Sequence, residues 1–335
     1  MCPVDTSEKT VLVTGGAGYI GSHTCKALAT AGYTPVSLDN LSTGHADLVK
    51  WGPLEVGDVG DGKRVKDVLK KYRPSACIHF AGYIQVGESV LDPLKYYRNN
   101  VSGSIALLGS LLESGVMSFI FSSSAAVYGI PRISPIPDDY PPAPINPYGE
   151  SKRIVEGILS DFAAAHGMRS VSLRYFNAAG ADPEGESGEL HDPETHLIPL
   201  VLQAAMGSRP DITVFGNDYQ TPDGTCLRDY IHVTDLARAH VLALERIDAG
   251  ETARAFNLGI GEGFSVMEVI REAERVTEKR VPIVMGGRRE GDPAVLVADS
   301  SRAKAELGWE PRHSGLNEII GTAWQFHSGR KEAKR

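Results

Sequence analysis

Tyr148 and Lys152 are the pair of residues in this chain best suited to acid–base chemistry. They are four residues apart, about one helical turn, so a helix would present the phenol and the ammonium on the same face. A fixed cation beside a tyrosine favours the phenolate and can make it a base that works near neutral pH. On a surface helix, a tyrosine and a lysine with this spacing are usually just part of a solvated face. The elements around the pair therefore decide whether it is catalytic.

The composition predicts a soluble globular protein of about two domains, with 335 residues, 42% hydrophobic and 23% charged. The net charge of −8 argues against non-specific binding to nucleic acid or to an anionic membrane. The four cysteines show no Cys-x-x-Cys spacing and are expected to be reduced thiols. The N-terminus lacks a signal-peptide pattern and no apolar run is long enough for a membrane span, so we expect a cytoplasmic protein.

Short β-branched runs alternate with helical segments through the first half of the sequence. This pattern predicts a parallel sheet covered on both faces, which is an α/β fold of the Rossmann-type doubly wound class. The predicted strands are 10–14, 35–39, 76–80, 119–122 and 170–174, and the predicted helices are 19–31, 63–72, 94–113 and 148–166. The alternation becomes irregular after Phe176, which predicts a first domain over 1–177 and a smaller α/β domain over 178–335, with about 225–255 packing back onto the first.

A glycine-rich turn joins the first predicted strand to the first predicted helix. Gly15, Gly18 and Gly21 would permit a tight turn, close approach of the backbone to a pyrophosphate, and close packing of helix on strand. The phosphates would lie at the helix N-terminus, where N–H groups and the helix dipole favour negative charge. The turn lacks the Gly-Lys-Ser/Thr ending of a Walker loop, which argues against an ATPase.

Further residues follow the next strands, at the edge of the sheet where a ligand crevice is expected. Asp39 ends the second strand and could bond a ribose hydroxyl, and its charge would repel a 2′-phosphate, which favours NAD over NADP. A turn formed by Asp39 and Asn40 is the alternative interpretation. Asp58 and the segment 80–82 end two more strands. We therefore predict that 1–177 is an NAD-binding domain.

Ser122, Ser123 and Ser124 end the strand before the Tyr148 helix, so a hydroxyl and a phenol can meet in one crevice. For Ser122 and Ser123 a hydrogen-bonded turn is the favoured interpretation. The glycine turn, the serine and Tyr-x-x-x-Lys together resemble the extended short-chain dehydrogenase/reductase superfamily. Within it, the chain resembles the UDP-glucose 4-epimerases over about 11–309. The motifs that carry this resemblance are FSSSAAVYG at 121–129, RYFNAAG at 174–180, RDYIHV at 228–233 and RREGD at 288–292.

The resemblance implies NAD as cofactor, a UDP-sugar as substrate and Tyr148 as catalytic base. Lys152 would lower the pKa of Tyr148 and bond the nicotinamide ribose, and Ser124 would donate to the sugar oxygen. Removal of the 4-hydroxyl proton, with hydride transfer to NAD, would give a 4-ketose that turns over and is reduced on its opposite face. The helices 94–113 and 148–166 resemble those that form a homodimer interface in this family, which implies a homodimer; the alternative is that their apolar positions face their own sheet.

The resemblance also implies a set of binding residues for each ligand. Those implied for NAD are Gly15, Gly18, Tyr19, Ile20, Gly21, Asp39, Asn40, Asp58, Val59, Phe80, Ala81, Gly82, Asn99, Ser122, Tyr148, Lys152, Tyr175 and Phe176. Those implied for the UDP-sugar are Ser124, Tyr148, Asn177, His196, Leu197, Thr213, Phe215, Arg228, Tyr230, Val266, Arg289, Asp292 and Leu296. The second domain is accordingly predicted to be mainly a nucleotide-sugar-binding domain.

The chain departs from the family pattern at several positions. Ile84 stands where a lysine that contacts the NAD pyrophosphate is expected. His196 replaces an asparagine, and its protonation would make a phosphate contact pH-dependent. Leu296 is of intermediate size at the wall of the sugar pocket, which predicts some activity on UDP-N-acetylglucosamine and UDP-N-acetylgalactosamine.

Two further patterns argue against a metal site and against a 4,6-dehydratase. The histidines of 191–196 do not have the His-Glu-x-x-His spacing and Pro193 prevents a regular helix, so we expect a solvated loop and no metal. Ala125 and Ala126 stand where the related 4,6-dehydratases carry Asp-Glu. The alternatives that stay open are another NAD-dependent sugar-nucleotide epimerase or dehydratase, a net dehydrogenase, and an inactive NAD-sensing binding protein.

Overall fold

Strands and helices alternate through the first half of the computed structural model, as the sequence predicts. The structure describes residues 10–248, 254–289, 291–313 and 315–333, so the N-terminal residues used to judge a signal peptide, and Glu290 of the RREGD motif, lie outside it. The strands are β1 (Thr10–Thr14), β2 (Thr34–Asp39), β3 (Leu54–Val56), β4 (Ala76–His79), β5 (Ser118–Ser122), β6 (Arg169–Tyr175), β7 (Asn177–Ala179), β8 (Ile212–Phe215), β9 (Leu227–Arg228), β10 (Tyr230–His232), β11 (Arg254–Leu258), β12 (Phe264–Ser265), β13 (Ile283–Gly286) and β14 (Val295–Leu296). The helices are α1 (Tyr19–Thr30), α2 (Gly62–Tyr72), α3 (Val86–Leu91), α4 (Pro93–Tyr96), α5 (Gly103–Glu113), α6 (Pro147–His166), α7 (Leu197–Ala205), α8 (Val233–Asp248), α9 (Val266–Thr277), α10 (Ser301–Leu307) and α11 (Leu316–Ala333).

The central sheet is parallel throughout, with the strand order β11-β6-β5-β4-β1-β2-β3. Successive side chains of β1 point to opposite faces. Val11 and Val13 pack in one core with α1 and α8, and Leu12 packs in the other core with α2, α5 and α6. Helices therefore cover both faces, which confirms the doubly wound α/β fold.

The chain after β6 builds a smaller region over the carboxyl edge of the sheet. Its core is formed by α7, α9 and α11, with Val201, Ile270 and Ile319 fully buried. The Tyr19 hydroxyl, at the start of α1, donates to Gly180 O at 2.6 Å and so ties this region to the edge of the sheet. The chain also returns to the sheet itself, because α8 packs on α1 and β11 pairs with β6.

The predicted helix 94–113 is helical over its length but not α-helical throughout. The structure has α4, a π-helical turn over Tyr97–Ser102, and then α5. Asn100 of this turn donates to Tyr83 O at 2.9 Å and to Ser151 Oγ at 3.2 Å, and it accepts from Tyr83 N at 2.9 Å. These tertiary hydrogen bonds hold the wide turn against α6 and the loop after β4, which a periodicity argument could not show. Single π turns of this kind often lie at functional sites.

The described helices and cysteines bear on membrane spans and on thiol chemistry. None of the described helices is both long and apolar enough to cross a membrane. Cys25, Cys77 and Cys226 are buried free thiols, and Cys2 lies outside the described residues. Burial raises the pKa of Cys25 to about 12, so this thiol is not a nucleophile near neutral pH.

Candidate active site

The glycine turn between β1 and α1 is a backbone cradle that side chains would fill. Gly15 has a φ of +73°, and a Cβ there would lie 2.7 Å from Ala81 N. A Cβ on Gly21 would lie 2.1 Å from Gly15 O, so glycine is needed for α1 to begin this close to the turn. Gly18 is the N-cap of α1, and it provides no side-chain cap. The N–H groups of the first turn therefore suit an anion such as the pyrophosphate of NAD.

Asp39 ends β2 beside this cradle and is held in place by backbone N–H groups. Its Oδ2 accepts from Ala17 N at 3.0 Å and its Oδ1 accepts from Leu41 N at 2.9 Å. Burial raises the pKa of Asp39, and these two hydrogen bonds oppose that shift. Each carboxylate oxygen keeps a second lone pair, which a ribose hydroxyl could use. Asp39 can therefore form a turn with the residues that follow it and still accept a hydrogen bond from a ribose hydroxyl.

The other residues implied for NAD follow strands at the same edge of the sheet. Asn40 Nδ2 donates to Asp58 Oδ2 at 2.8 Å, which links the chain after β2 to the chain after β3. The hydroxyls of Ser122 and Tyr175 hydrogen-bond each other at the ends of β5 and β6. Asn99 lies in the π turn. Phe80, Ala81 and Gly82 directly follow β4, Phe176 directly follows β6, and Val59 is the third residue after β3.

The start of α6 brings Tyr148 against the turn that follows β5. Asn146 Oδ1 caps the helix by accepting from Gly149 N at 2.8 Å. A Cβ on Gly149 would lie 2.4 Å from Ala126 O, so glycine permits close contact between α6 and this turn. Ser124, which begins the turn, therefore lies beside the Tyr148 phenol. The sequence predicted this convergence, but not the glycine that makes room for it.

Tyr148 and Lys152 are both buried, with 8% and 5% of their surfaces exposed. Lys152 Nζ donates to Ser122 O at 2.7 Å and lies 5.8 Å from the centroid of the Tyr148 ring. Burial lowers the pKa of Lys152 to about 8, and the Glu156 carboxylate partly offsets this. Burial also raises the pKa of Tyr148, and the Ser124 hydroxyl partly offsets that. The cost of burying a phenolate exceeds the stabilisation that the Ser124 hydroxyl gives it, and the lowering of the Tyr148 pKa by Lys152 stays a prediction.

A buried polar network beneath the serine turn was not predicted from the sequence. Glu156 accepts from Ser123 Oγ at 2.6 Å, from Arg174 Nε at 2.9 Å and from Arg174 Nη2 at 2.6 Å. Arg174 Nη1 donates to Tyr128 OH at 2.8 Å, and that hydroxyl donates to Asn257 Oδ1 at 2.7 Å. The network joins α6, β6, β11 and the serine turn. The sequence signal that could have indicated this network is the spacing of Glu156, which follows Lys152 by four residues and so lies on the same face of the helix.

Two arginines of the second region lie among the residues implied for the UDP-sugar. Arg228 forms an ion pair with Asp292, and its side chain is 12% exposed. The guanidinium of Arg289 lies 3.9 Å from the centroid of the Phe215 ring. Arg228 of β9 is in register with Leu296 of β14. The structure thus joins Arg228, Asp292 and Leu296, and a diphosphate would compete with Asp292 for the guanidinium.

The other residues implied for the UDP-sugar lie on neighbouring elements. Asn177 of β7 is in register with Tyr230 of β10, and its Nδ2 donates to a backbone carbonyl just before β10 at 2.9 Å. Leu197 and Val266 are the first residues of α7 and α9. Thr213 lies in β8, two residues before the phenylalanine that packs on Arg289.

The segment 191–196 is an irregular loop, as we expected, but two carboxylates that pair with His196 are buried. The Glu189 and Glu194 side chains are only 4% and 6% exposed. His196 Nδ1 lies 2.7 Å from Glu189 Oε1 and 3.2 Å from Glu194 Oε1. Burial lowers the pKa of His196, but the two carboxylates outweigh it and raise the pKa to about 10. The loop thus pairs the His196 imidazole with its own carboxylates, and the pH-dependent phosphate contact of His196 stays a prediction.

Comparison with known proteins agrees with this geometry. Residues 11–259 match the model of the NAD dependent epimerase/dehydratase family. The chain belongs to this family. It is 52% identical over 320 residues to UDP-glucose 4-epimerase of Rhizobium leguminosarum bv. trifolii. The aligned residues make up 96% of this chain and 98% of that protein.

Solved structures extend the similarity to three dimensions. UDP-glucose 4-epimerase from Brucella ovis, in complex with NAD, has a TM-score of 0.93 at 53% identity and covers 95% of this chain and 98% of that chain. The enzyme from Bifidobacterium longum, in complex with NAD+ and UDP, has a TM-score of 0.91 at 39% identity and covers 96% of this chain and 99% of that chain. The resemblance to the UDP-glucose 4-epimerases is thereby confirmed.

Proposed function

We propose that this chain is an enzyme that interconverts UDP-glucose and UDP-galactose by inverting C4 of the sugar, with NAD as cofactor. The observation that carries the proposal is the convergence of Ser124, Tyr148 and Lys152 at the edge of the sheet that also bears the glycine turn. The similarity to UDP-glucose 4-epimerases solved with NAD supports both the reaction and the cofactor. When bound, NAD supplies a reversible acceptor for the hydride of C4.

The three residues handle the proton of the 4-hydroxyl and the charge that its removal creates. Tyr148, as phenolate, takes this proton and returns it when the 4-keto sugar is reduced on its other face. The Ser124 hydroxyl donates to the sugar oxygen. Lys152 uses one N–H on Ser122 O, which leaves two for the nicotinamide ribose and the phenolate. Because burial raises the pKa of Tyr148, the positive charge of Lys152 is needed for the base to form.

The UDP group is held while the sugar turns over between its two faces. The protein carries a net charge of −8, so a diphosphate of about −2 charge requires locally placed cations. Arg228 and Arg289 supply them, with forked N–H groups that match phosphate oxygens. Release of Arg228 from Asp292 would couple UDP binding to a rearrangement at this wall of the site.

The base assignment is tested by Tyr148→Phe, with Tyr72→Phe as the matched control. Tyr72 lies on α2, where its hydroxyl donates to Glu55 at 2.7 Å, away from the glycine and serine turns. We expect Tyr148→Phe to lower kcat for UDP-galactose conversion by about 10²- to 10⁴-fold, because general-base catalysis contributes about that much. Tyr72→Phe should keep wild-type activity. Near-wild-type turnover by Tyr148→Phe would show that another group is the base.

The same assay, run without added NAD, separates the alternative functions. An epimerase forms the C4 epimer and accumulates neither NADH nor a keto sugar. A net dehydrogenase accumulates NADH, and a dehydratase releases a 4-keto-6-deoxy sugar. A binding protein would retain NAD and show no turnover.

The proposal extends to N-acetylated UDP-sugars because of the residue at position 296. Leu296 packs with Phe176 against Val127 and Tyr128, so its size affects the space beside the predicted nicotinamide site. We expect wild-type protein to convert UDP-N-acetylglucosamine, and Leu296→Tyr to lose this activity while it keeps UDP-glucose conversion. Equal loss of both activities would show that Leu296 supports the fold rather than the choice of sugar.

The proposed enzyme is a homodimer, and exposed apolar side chains on α3 and α4 support this. Val90, Leu91 and Leu94 are 59%, 87% and 56% exposed. Light scattering after gel filtration would measure the mass, and the Leu91→Lys variant should shift it toward the monomer. A wild-type monomer would contradict the proposal. The cytoplasmic location stays a prediction.

A further inference from the structure

Two histidines and two glutamates meet between β7 and α7, and the proposed proton and hydride transfers involve none of them. We call Glu189, His191, Glu194 and His196 the His–Glu cluster. One donor atom from each residue lies within 4.8 Å of the donor atoms of the other three. The residues come from a single eight-residue segment, Glu-x-His-x-x-Glu-x-His, which ends at the first turn of α7.

The distances within the cluster are close to those of a tetrahedral metal site. His191 Nδ1 lies 3.0 Å from Glu189 Oε1 and 3.8 Å from Glu194 Oε2, whereas His196 faces the other oxygen of Glu194. His196 Nδ1 lies 2.7 Å from Glu189 and 3.2 Å from Glu194. Metal–ligand bonds of about 2.05 Å in a tetrahedron separate neighbouring donor atoms by about 3.3 Å, which falls inside this range. Shifts of at most about 0.6 Å would therefore bring each of these four imidazole–carboxylate distances to the tetrahedral separation.

The cluster has the rigidity that a metal site requires. Glu194 Oε1 accepts from the backbone N–H groups of Thr195 at 2.7 Å and His196 at 2.9 Å, which fixes the carboxylate. The Tyr19 ring packs edge-on against His191 with the ring centroids 6.4 Å apart. Contacts of this kind, made by groups that do not bind the metal, orient the side chains that do.

We propose that the His–Glu cluster binds one divalent transition-metal ion of the zinc class. Imidazole nitrogen and carboxylate oxygen are ordinary zinc ligands, and four protein ligands describe a closed structural site. Two neutral imidazoles and two carboxylates balance the charge of the ion. On binding, the ion replaces the protons that the imidazoles share with the carboxylates.

The ion would fasten a loop that connects the two ligand-binding regions of the crevice. His45, between β2 and β3, donates to Leu190 O at 2.9 Å, so the loop touches the nucleotide side. At its other end, His196 and Leu197 begin α7, where the UDP-sugar is expected. The ion would thus hold the start of α7 in place relative to α1. This inference does not depend on which sugar reaction the chain catalyses.

Zinc content of the untagged full-length chain tests the proposal directly. The protein is stripped with EDTA, loaded with zinc sulfate, passed over a desalting column, and measured by inductively coupled plasma mass spectrometry. We expect about one zinc ion per chain. His191→Gln and His196→Gln should each lose most of this zinc. His313→Gln is the matched control, because His313 Nδ1 pairs with the single carboxylate of Glu318 at 2.6 Å, and this variant should keep it.

Two measurements on the wild-type chain do not depend on the folding of the variants. Zinc at about 100 times its dissociation constant should raise the melting temperature by about 4 °C. X-ray absorption at the zinc edge should show nitrogen and oxygen neighbours at about 2.0–2.1 Å with imidazole scattering. Zinc content far below one ion per chain would overturn the proposal and leave the cluster as paired charges. Retention of zinc by both histidine variants, or a sulfur shell, would overturn it in favour of another site.

Discussion

Glu156→Gln is the substitution for which the structure makes the sharpest prediction. Glu156 accepts two hydrogen bonds from Arg174 and one from Ser123, and the side chains of the ion pair are only 12% and 8% exposed. The amide of glutamine can replace one accepting oxygen but turns an N–H group toward the guanidinium. Removing one partner of a buried ion pair leaves a buried, unpaired charge and costs about 3–5 kcal/mol of unfolding free energy.

Glu150→Gln is the matched control, because it breaks a pair with the same geometry on the same helix. Arg153 donates to Glu150 at 2.9 and 2.6 Å, the same two distances that join Arg174 to Glu156. The Glu150 pair is 30% and 46% exposed, so its loss should cost about 0–1 kcal/mol. Urea denaturation followed by tryptophan fluorescence and circular dichroism gives both values. If Glu156→Gln loses no more stability than Glu150→Gln, burial does not set the strength of this pair and the reasoning fails.

Two further predictions concern the cofactor turn and the base. Gly21→Ala would place a Cβ 2.1 Å from Gly15 O and should abolish retention of NAD through gel filtration. The control is Gly157→Ala, where the new Cβ meets nothing within 4 Å beyond its own helix, and this variant should raise the unfolding free energy by up to about 1 kcal/mol. Retention of NAD by Gly21→Ala would refute the proposal that the glycine turn holds the pyrophosphate. Because burial lowers the pKa of Lys152 to about 8, its ammonium loses a proton as the pH rises through 8, and kcat should fall there. Glu156→Gln removes a charge that raises this pKa and should move the fall to lower pH, so an unmoved profile would show that Lys152 does not set it.

Local periodicity accounts for most of the fold prediction. The strand and helix spans around Gly15 and Tyr148 are correct to within about two residues, because alternation and helical spacing act over short distances. The exception is the π turn at Asn100, whose side chain bonds Tyr83 and Ser151. Those partners are 17 and 51 residues away in sequence, so no local pattern contains them.

For the candidate active site, the sequence predicts which residues are present but not how they ionise. The sequence shows directly that Ser124, Tyr148 and Lys152 are present and in which order, and the motifs around them placed the chain in its family. The ionisation states of these side chains could not be predicted from the sequence. Whether a lysine lowers the pKa of a tyrosine depends on burial, and burial belongs to the packed structure.

The doubly wound fold, the glycine cradle and the spacing of the candidate base and cation can be predicted from the sequence, because each is encoded in residues that are close together in the chain. Which charges are paired depends instead on the tertiary structure. It placed Glu156 against Arg174 and closed the segment 189–196 into the His–Glu cluster. Electrostatic energies depend on distance and on exclusion of water, and both are set when distant segments pack against each other.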